Sequence, residues 1–256
     1  VKNVTSLSHS DGAPPDEGQS VPRPRGHPLR WRRLLAGLGV IHLLIVALSF
    51  AAPMFTGGQR GETPFSAYVD VNREGNLPTW WAVAQLAAAA TSLLFVAVLA
   101  RHQRVRGTAA WWILGCLVLL FCLDEGTGLH ERLESLILQF TDVPDTAFLW
   151  LVLGIPLALI VLVLAAVSAR HLPEESTRLI VLGVVTLLFA AVGLEFVAAQ
   201  SVGLGVPPLA VDGLSHLEEF LELVAGSLLL AAPLAAVRTR TTGKSTSFTL
   251  MDRSRR

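Results

Sequence analysis

Six apolar stretches, each long enough to cross a bilayer, dominate this chain. They run at about Leu34–Phe55, Trp80–Ala100, Ala109–Leu138, Ala147–Ala169, Leu179–Gln200 and Gly213–Val237. About 20 helical residues span the roughly 30 Å hydrocarbon core. Backbone polar groups in lipid must satisfy each other within the segment, so such stretches are helices. The third is unusual, because its purely apolar part ends at Leu123 and Asp124 and Glu125 follow. Leu129, Leu133, Leu136 and Ile137 continue a helical stripe beyond them, which extends the expected helix to Leu138. The predicted fold is an all-α integral membrane bundle of six transmembrane helices.

The charges orient the bundle. Arg23, Arg25, Arg30, Arg32 and Arg33 precede the first span, and Arg101, Arg104 and Arg106 follow the second. Arg170 and Arg178 flank the fourth connection, and six basic residues from Arg238 onward follow the last span. With Lys2, 17 of the 20 basic residues fall on one side, against Arg60 and Arg73 on the other. The positive-inside rule then makes both termini cytoplasmic. Trp31, Trp111 and Trp112 at the expected inner edges, and Trp80, Trp81 and Trp150 at the outer ones, match an aromatic belt. Residues 1–30, polar and rich in Pro, Gly and Ser, are expected to form a disordered cytoplasmic tail. Residues 31–240 form the membrane domain, and 241–256 a basic cytoplasmic tail.

Composition excludes other classes. Hydrophobic residues make up 52% of the chain and charged ones 16%, too little polarity to solvate a globular surface. The formal net charge is zero, which leaves no global basic field for nucleic acid. Cys116 and Cys122, six residues apart in one apolar run, match no metal motif and are expected as two buried thiols.

The residues that can carry chemistry are the acids inside the spans. Asp124, Glu125, Glu131 and Glu134 lie in the third, Glu195 in the fifth, and Glu218, Glu219 and Glu222 in the sixth. His130 and His216 accompany them, while lone His42 in the first span is expected as a hydrogen-bonded core histidine. A charge at a helix centre costs roughly 2.5–3.5 kcal/mol, so eight acids must be hydrated, protonated, paired or metal-bound. At 1.5 Å per residue, Asp124 stands about 21 Å above Ala110 and Glu195 about 24 Å above Leu179. Glu219 and Glu222 lie about 9 and 14 Å below Gly213 by the same rise. All three helices therefore place their acids in the outer half of the membrane. Asp124, Thr127, His130, Glu131 and Glu134 share an arc of about 120°, with Glu125 pointing elsewhere.

Carboxylates with one or two imidazoles suit a divalent metal such as Fe, Mn or Zn. The expected ligands are Asp124, Glu131, Glu195, His216, Glu219 and Glu222, with Glu125 or His130 as proton donor or acceptor in catalysis. The substrate would be a lipid or a membrane-soluble small molecule, in contact with the bilayer. A di-iron bundle uses Glu-x-x-His on two helices, whereas this chain has the reversed order, His216 to Glu219. The alternative is a proton- or cation-coupled membrane transporter, which also needs intramembrane carboxylates.

Four stretches together are similar to a group of uncharacterised bacterial multi-pass membrane proteins. They are Arg73-Glu74-Gly75-Asn76-Leu77-Pro78-Thr79-Trp80, Leu123-Asp124-Glu125 with His130-Glu131, Gly193-Leu194-Glu195, and Glu218-Glu219 with Glu222. The resemblance covers most of residues 35–237 and implies a bacterial cytoplasmic membrane location, with no established reaction. It also implies that Glu74 and Asn76 belong with the intramembrane acids.

Overall fold

The computed structural model describes residues 27–58, 60–129, 132, 149–242 and 245–251. Its helices are α1 (Trp31–Thr56), α2 (Pro64–Val69), α3 (Leu77–His102), α4 (Thr108–Thr127), α5 (Leu149–Ala169), α6 (Glu174–Leu188), α7 (Glu195–Gly203) and α8 (Pro208–Ala236). A π-helical turn, Phe189–Leu194, joins α6 to α7 without a break. Among the described residues, α1, α3, α4, the α6–α7 rod and α8 are long and apolar enough to cross a membrane. The described part of α5 from Gly154 to Ala169 is a shorter apolar helix.

Packing follows membrane rules. Large residues point outward: Leu44 and Phe55 of α1 and Leu157 and Val163 of α5 are more than half exposed. Small ones point inward: Ala89, Ala90, Ala97 and Ala100 of α3 and Ala225, Ala231, Ala232 and Ala236 of α8 are sealed. Lipid tails are as apolar as Leu, so close backbone approach between small residues drives helix association. α8 is the central helix and packs on α1, α3 and α6. At Gly183 of α6 an added Cβ would stand 3.0 Å from Leu229 and 3.3 Å from the Ala225 carbonyl, so glycine is what lets α6 and α8 touch.

Several sequence expectations need correction. α4 ends at Thr127, where Gly128 adopts a left-handed conformation (φ 55°) and its N–H donates back to the Asp124 carbonyl; most of the expected continuation to Leu138 lies outside the described residues. This is a glycine stop. Trp111 is a core residue, 1% exposed, and not part of a belt. Cys116 is exposed and Cys122 half-buried, its thiol donating to the Val83 carbonyl at 3.5 Å.

The stretches expected as tails hold strands. β1 (His27–Pro28), β2 (Val237–Thr242) and β3 (Ser245–Leu250) form an antiparallel sheet in the order β1-β2-β3. Val237 pairs with Leu250 and Thr239 with Phe248, which puts the apolar residues on one face. Gln103, just past α3, donates to the Phe248 carbonyl at 2.8 Å and accepts from the Leu250 N–H at 3.0 Å. The sheet therefore sits at the end where α1 begins and where α3 and α8 finish. The acids occupy the other end.

Candidate functional site

A cavity of about 370 Å³ opens at that other end, between α3, α4, α5, the π turn and α8. Its acidic side carries Asp124 and Glu125 from α4, Glu195 from the start of α7, and Glu218, Glu219 and Glu222 from α8. Glu74 from the loop before α3 joins them, and Arg73 is the one basic residue lining it among the described residues. The facing side is apolar, with Leu86, Phe121, Leu157, Val161, Leu187 and Leu188. Glu222 lies within electrostatic reach of Glu125, Glu195, Glu218 and Glu219, and Glu219 within reach of the buried Asp70.

Local backbone explains how the acids converge. Residues 218, 219 and 222 share one face of α8 by helical spacing. The π turn, a device found often at functional sites, carries Ala191 and Val192 to the cavity wall and delivers Glu195 beside them. Asp124 and Glu125, both in the last turn of α4, line the space together, contrary to the expected divergence of Glu125. The Glu74 carboxylate packs over Gly128, where an added Cβ would meet its oxygens at 3.0 and 3.1 Å.

Gln85 forms the floor. Its amide donates to the Leu223 carbonyl at 2.8 Å and to Ser227 Oγ at 3.2 Å, and its carbonyl oxygen is 2.8 Å from Nε2 of His42. His42 is fully buried, the hydrogen-bonded core histidine expected, although its Nδ1 has no partner among the described residues.

His216 stands apart from the cavity. Its Nδ1 donates to the Asp212 carbonyl at 2.8 Å, and its Nε2 is 3.1 Å from Ser49 Oγ. Ser49 accepts in turn from the Val71 N–H at 3.1 Å, so both ring nitrogens are engaged in stitching α1, α8 and the outer loop together. The physical reason is rotation: His216 lies about 60° from Glu219 on the helix and faces α1. Beside it Arg60 pairs with Asp212 and covers the Phe50 ring at 5.6 Å. Burial lowers the Arg60 guanidinium from its ordinary pKa, and Asp70 acts in the opposite direction.

Of the expected ligands, Asp124, Glu195, Glu219 and Glu222 thus share one cavity with Glu125 and Glu218. His130, Glu131 and Glu134 lie outside the described residues. Among the described residues no three His, Cys, Asp or Glu side chains stand close enough to hold one metal ion. Glu74 joins the acids, whereas Asn76 caps α3, accepting from Thr79 N–H at 3.3 Å and donating to the Ala67 and Asp70 carbonyls. Sequence reasoning missed Asp70, Asp212, Arg60 and Ser49. Their shared signal is weak: polar residues beside the membrane edge, where solvated ones are ordinary.

Comparison with curated proteins and with solved structures returns no match. A family sequence profile described as a domain of unknown function matches residues 29–237, from the strand-to-helix entry of α1 to the end of α8, and the chain belongs to this DUF8692 family.

Proposed function

We propose that this is a six-span membrane protein, with both termini on the basic side, whose acidic cavity binds a cation from the opposite side. One observation carries this: among the described residues, seven carboxylates and a single guanidinium line one cavity. Like charges gathered in a low-dielectric space are relieved by protons or by a bound cation, and a cation that enters such a space is held by several carboxyl groups at once. The fourth apolar segment, α5, supplies the sixth span.

The cavity's two walls narrow the class of ligand. About 370 Å³ is roughly a dozen times the share of one liquid water, far more than a bare ion fills. An acidic wall facing Leu86, Phe121 and Leu157 fits an organic cation with an apolar body, such as an alkylated amine. A divalent Fe, Mn or Zn ion in catalysis would instead need ligands beyond the described residues, with His130 and Glu131 the candidates. Cation-coupled transport draws support from the floor, since Gln85 lines the cavity and bonds buried His42 behind it.

Equilibrium binding of radiolabelled benzyltrimethylammonium to the purified full-length protein tests the proposal, with elemental analysis run in parallel. Saturable binding is expected, reduced at least tenfold in the Glu219→Gln/Glu222→Gln variant, with no stoichiometric metal. Stoichiometric metal that disappears in that variant would move the assignment to a metal centre. Absence of both would overturn a cation site of either kind.

A further inference from the structure

A second cavity, of about 560 Å³, lies at the basic end where α3 hands over to α4. It is lined by Val98, Arg101, His102, Arg104 and Trp112. Among the described residues, no hydrogen bond or ion pair engages the side chains of Arg101, His102 or Arg104, and all three are exposed. Below them the surface turns apolar: Val98 is 42% exposed, and Phe95, one turn deeper on α3, 54% exposed. Trp112 stands at the boundary, where an amphipathic indole is favoured.

The backbone adds an independent observation. α3 closes with the Val105 N–H donating to the Ala100 carbonyl and the Arg104 N–H to the Arg101 carbonyl. This is the double hydrogen bond of a helix stop whose left-handed position glycine normally fills. Here Arg104 fills it with φ 52°, the one non-glycine residue with positive φ among the described residues. Glycine would relieve the strain, and the Arg104 side chain contributes no polar contact to the fold. What it contributes is a cation at the rim of the cavity.

We propose that this cavity binds the phosphate of an anionic phospholipid, between Arg101, His102 and Arg104, with an acyl chain running along Val98 and Phe95. The apolar track continuous with the basic rim is what selects a lipid over a free anion. The site is independent of the cation cavity and requires only that α3 and α4 cross the bilayer.

The test is lipid binding to the full-length protein in detergent, measured by native mass spectrometry with phosphatidylglycerol, phosphatidylcholine and inorganic phosphate. Phosphatidylglycerol is expected to bind in preference to phosphatidylcholine. A basic side chain near an anionic surface contributes about 1 kcal/mol. Arg101→Gln with Arg104→Gly should therefore weaken phosphatidylglycerol about thirtyfold, and Arg104→Gly alone about fivefold. Arg104→Gly should also keep or raise the lipid-free melting temperature, which holds the test open if the double variant fails to fold. Equal binding of the two lipids, or unchanged phosphatidylglycerol affinity in Arg104→Gly, would overturn the proposal. So would displacement of the lipid by millimolar inorganic phosphate, which would reveal a free-anion site.

Discussion

The two halves of α8 are packed by different rules. From Ala225 to Ala236 the helix is almost sealed, pressed against α3 and α6 through Ala, Gly and Ser. From Asp212 to Glu222 it is mostly half-buried, and Glu218, Glu219 and Glu222 line the cavity. The change falls at Leu223 and Gly226, where the Gln85 amide crosses from α3. Small residues remove the space between helices, and carboxylates keep it. The lower half supplies the rigidity that holds a costly cluster of acids in place above it.

Four substitutions would break or sharpen this contrast. Gly226→Val strikes the boundary itself: a Cβ there would lie 2.7 Å from Gln85 Nε2. Overpacking should cost about 1–3 kcal/mol, read as lower resistance to unfolding in detergent, with loss of the cavity floor. Arg60→Gln removes the guanidinium from Asp212 at the acidic end and leaves it the weaker Asn72 amide contact at 3.4 Å. A loss of about 1–2 kcal/mol is expected, and a double-mutant cycle with Asp212→Asn should show coupling; additive losses would mean the pair contributes nothing.

Gln85→Leu severs three hydrogen bonds at once. Polar contacts between membrane helices average about 0.6 kcal/mol, so a loss near 1 kcal/mol is expected, together with faster amide exchange around His42. Glu222→Gln should have the smallest effect and the opposite sign. Replacing one carboxyl of the crowded cluster by an uncharged amide of the same shape should leave the ligand-free protein as stable or more so, by about 0.5 kcal/mol, in a thermal melt at neutral pH. A clear destabilisation would mean that Glu222 is part of the packing and not of an open site.

The lower half was the more legible in sequence. Apolar length placed α1, α3 and α8 within a few residues, because the bilayer thickness fixes how long such helices are. Depth along each helix brought the acids of three spans to one end, since 1.5 Å per residue needs no knowledge of neighbours. Which face each acid presents was less legible. His216 is turned to α1 by Ser49 and the Asp212 carbonyl, contacts between segments far apart in sequence. Glu125 lines the same cavity as Asp124, although about 100° of helix rotation separates the two, because the cavity is wide enough to be reached from both directions. The β2–β3 hairpin went unseen because its Ser, Thr and Arg residues look like a solvated tail. It is docked by Gln103, more than 140 positions away in the chain.

The π turn at Phe189–Leu194 makes the two ends of its rod separately adjustable. A π turn accommodates one residue more than the α-helix that would replace it. Below it, α6 keeps the contact through Gly183 that anchors the rod to α8. Above it, Glu195 stands wherever that extra residue turns it. A chain one residue shorter there would leave the anchor in register and swing Glu195 by about 100°, off the cavity. The acidic lining can therefore be rewritten by a single insertion or deletion, with the sealed half of the bundle untouched.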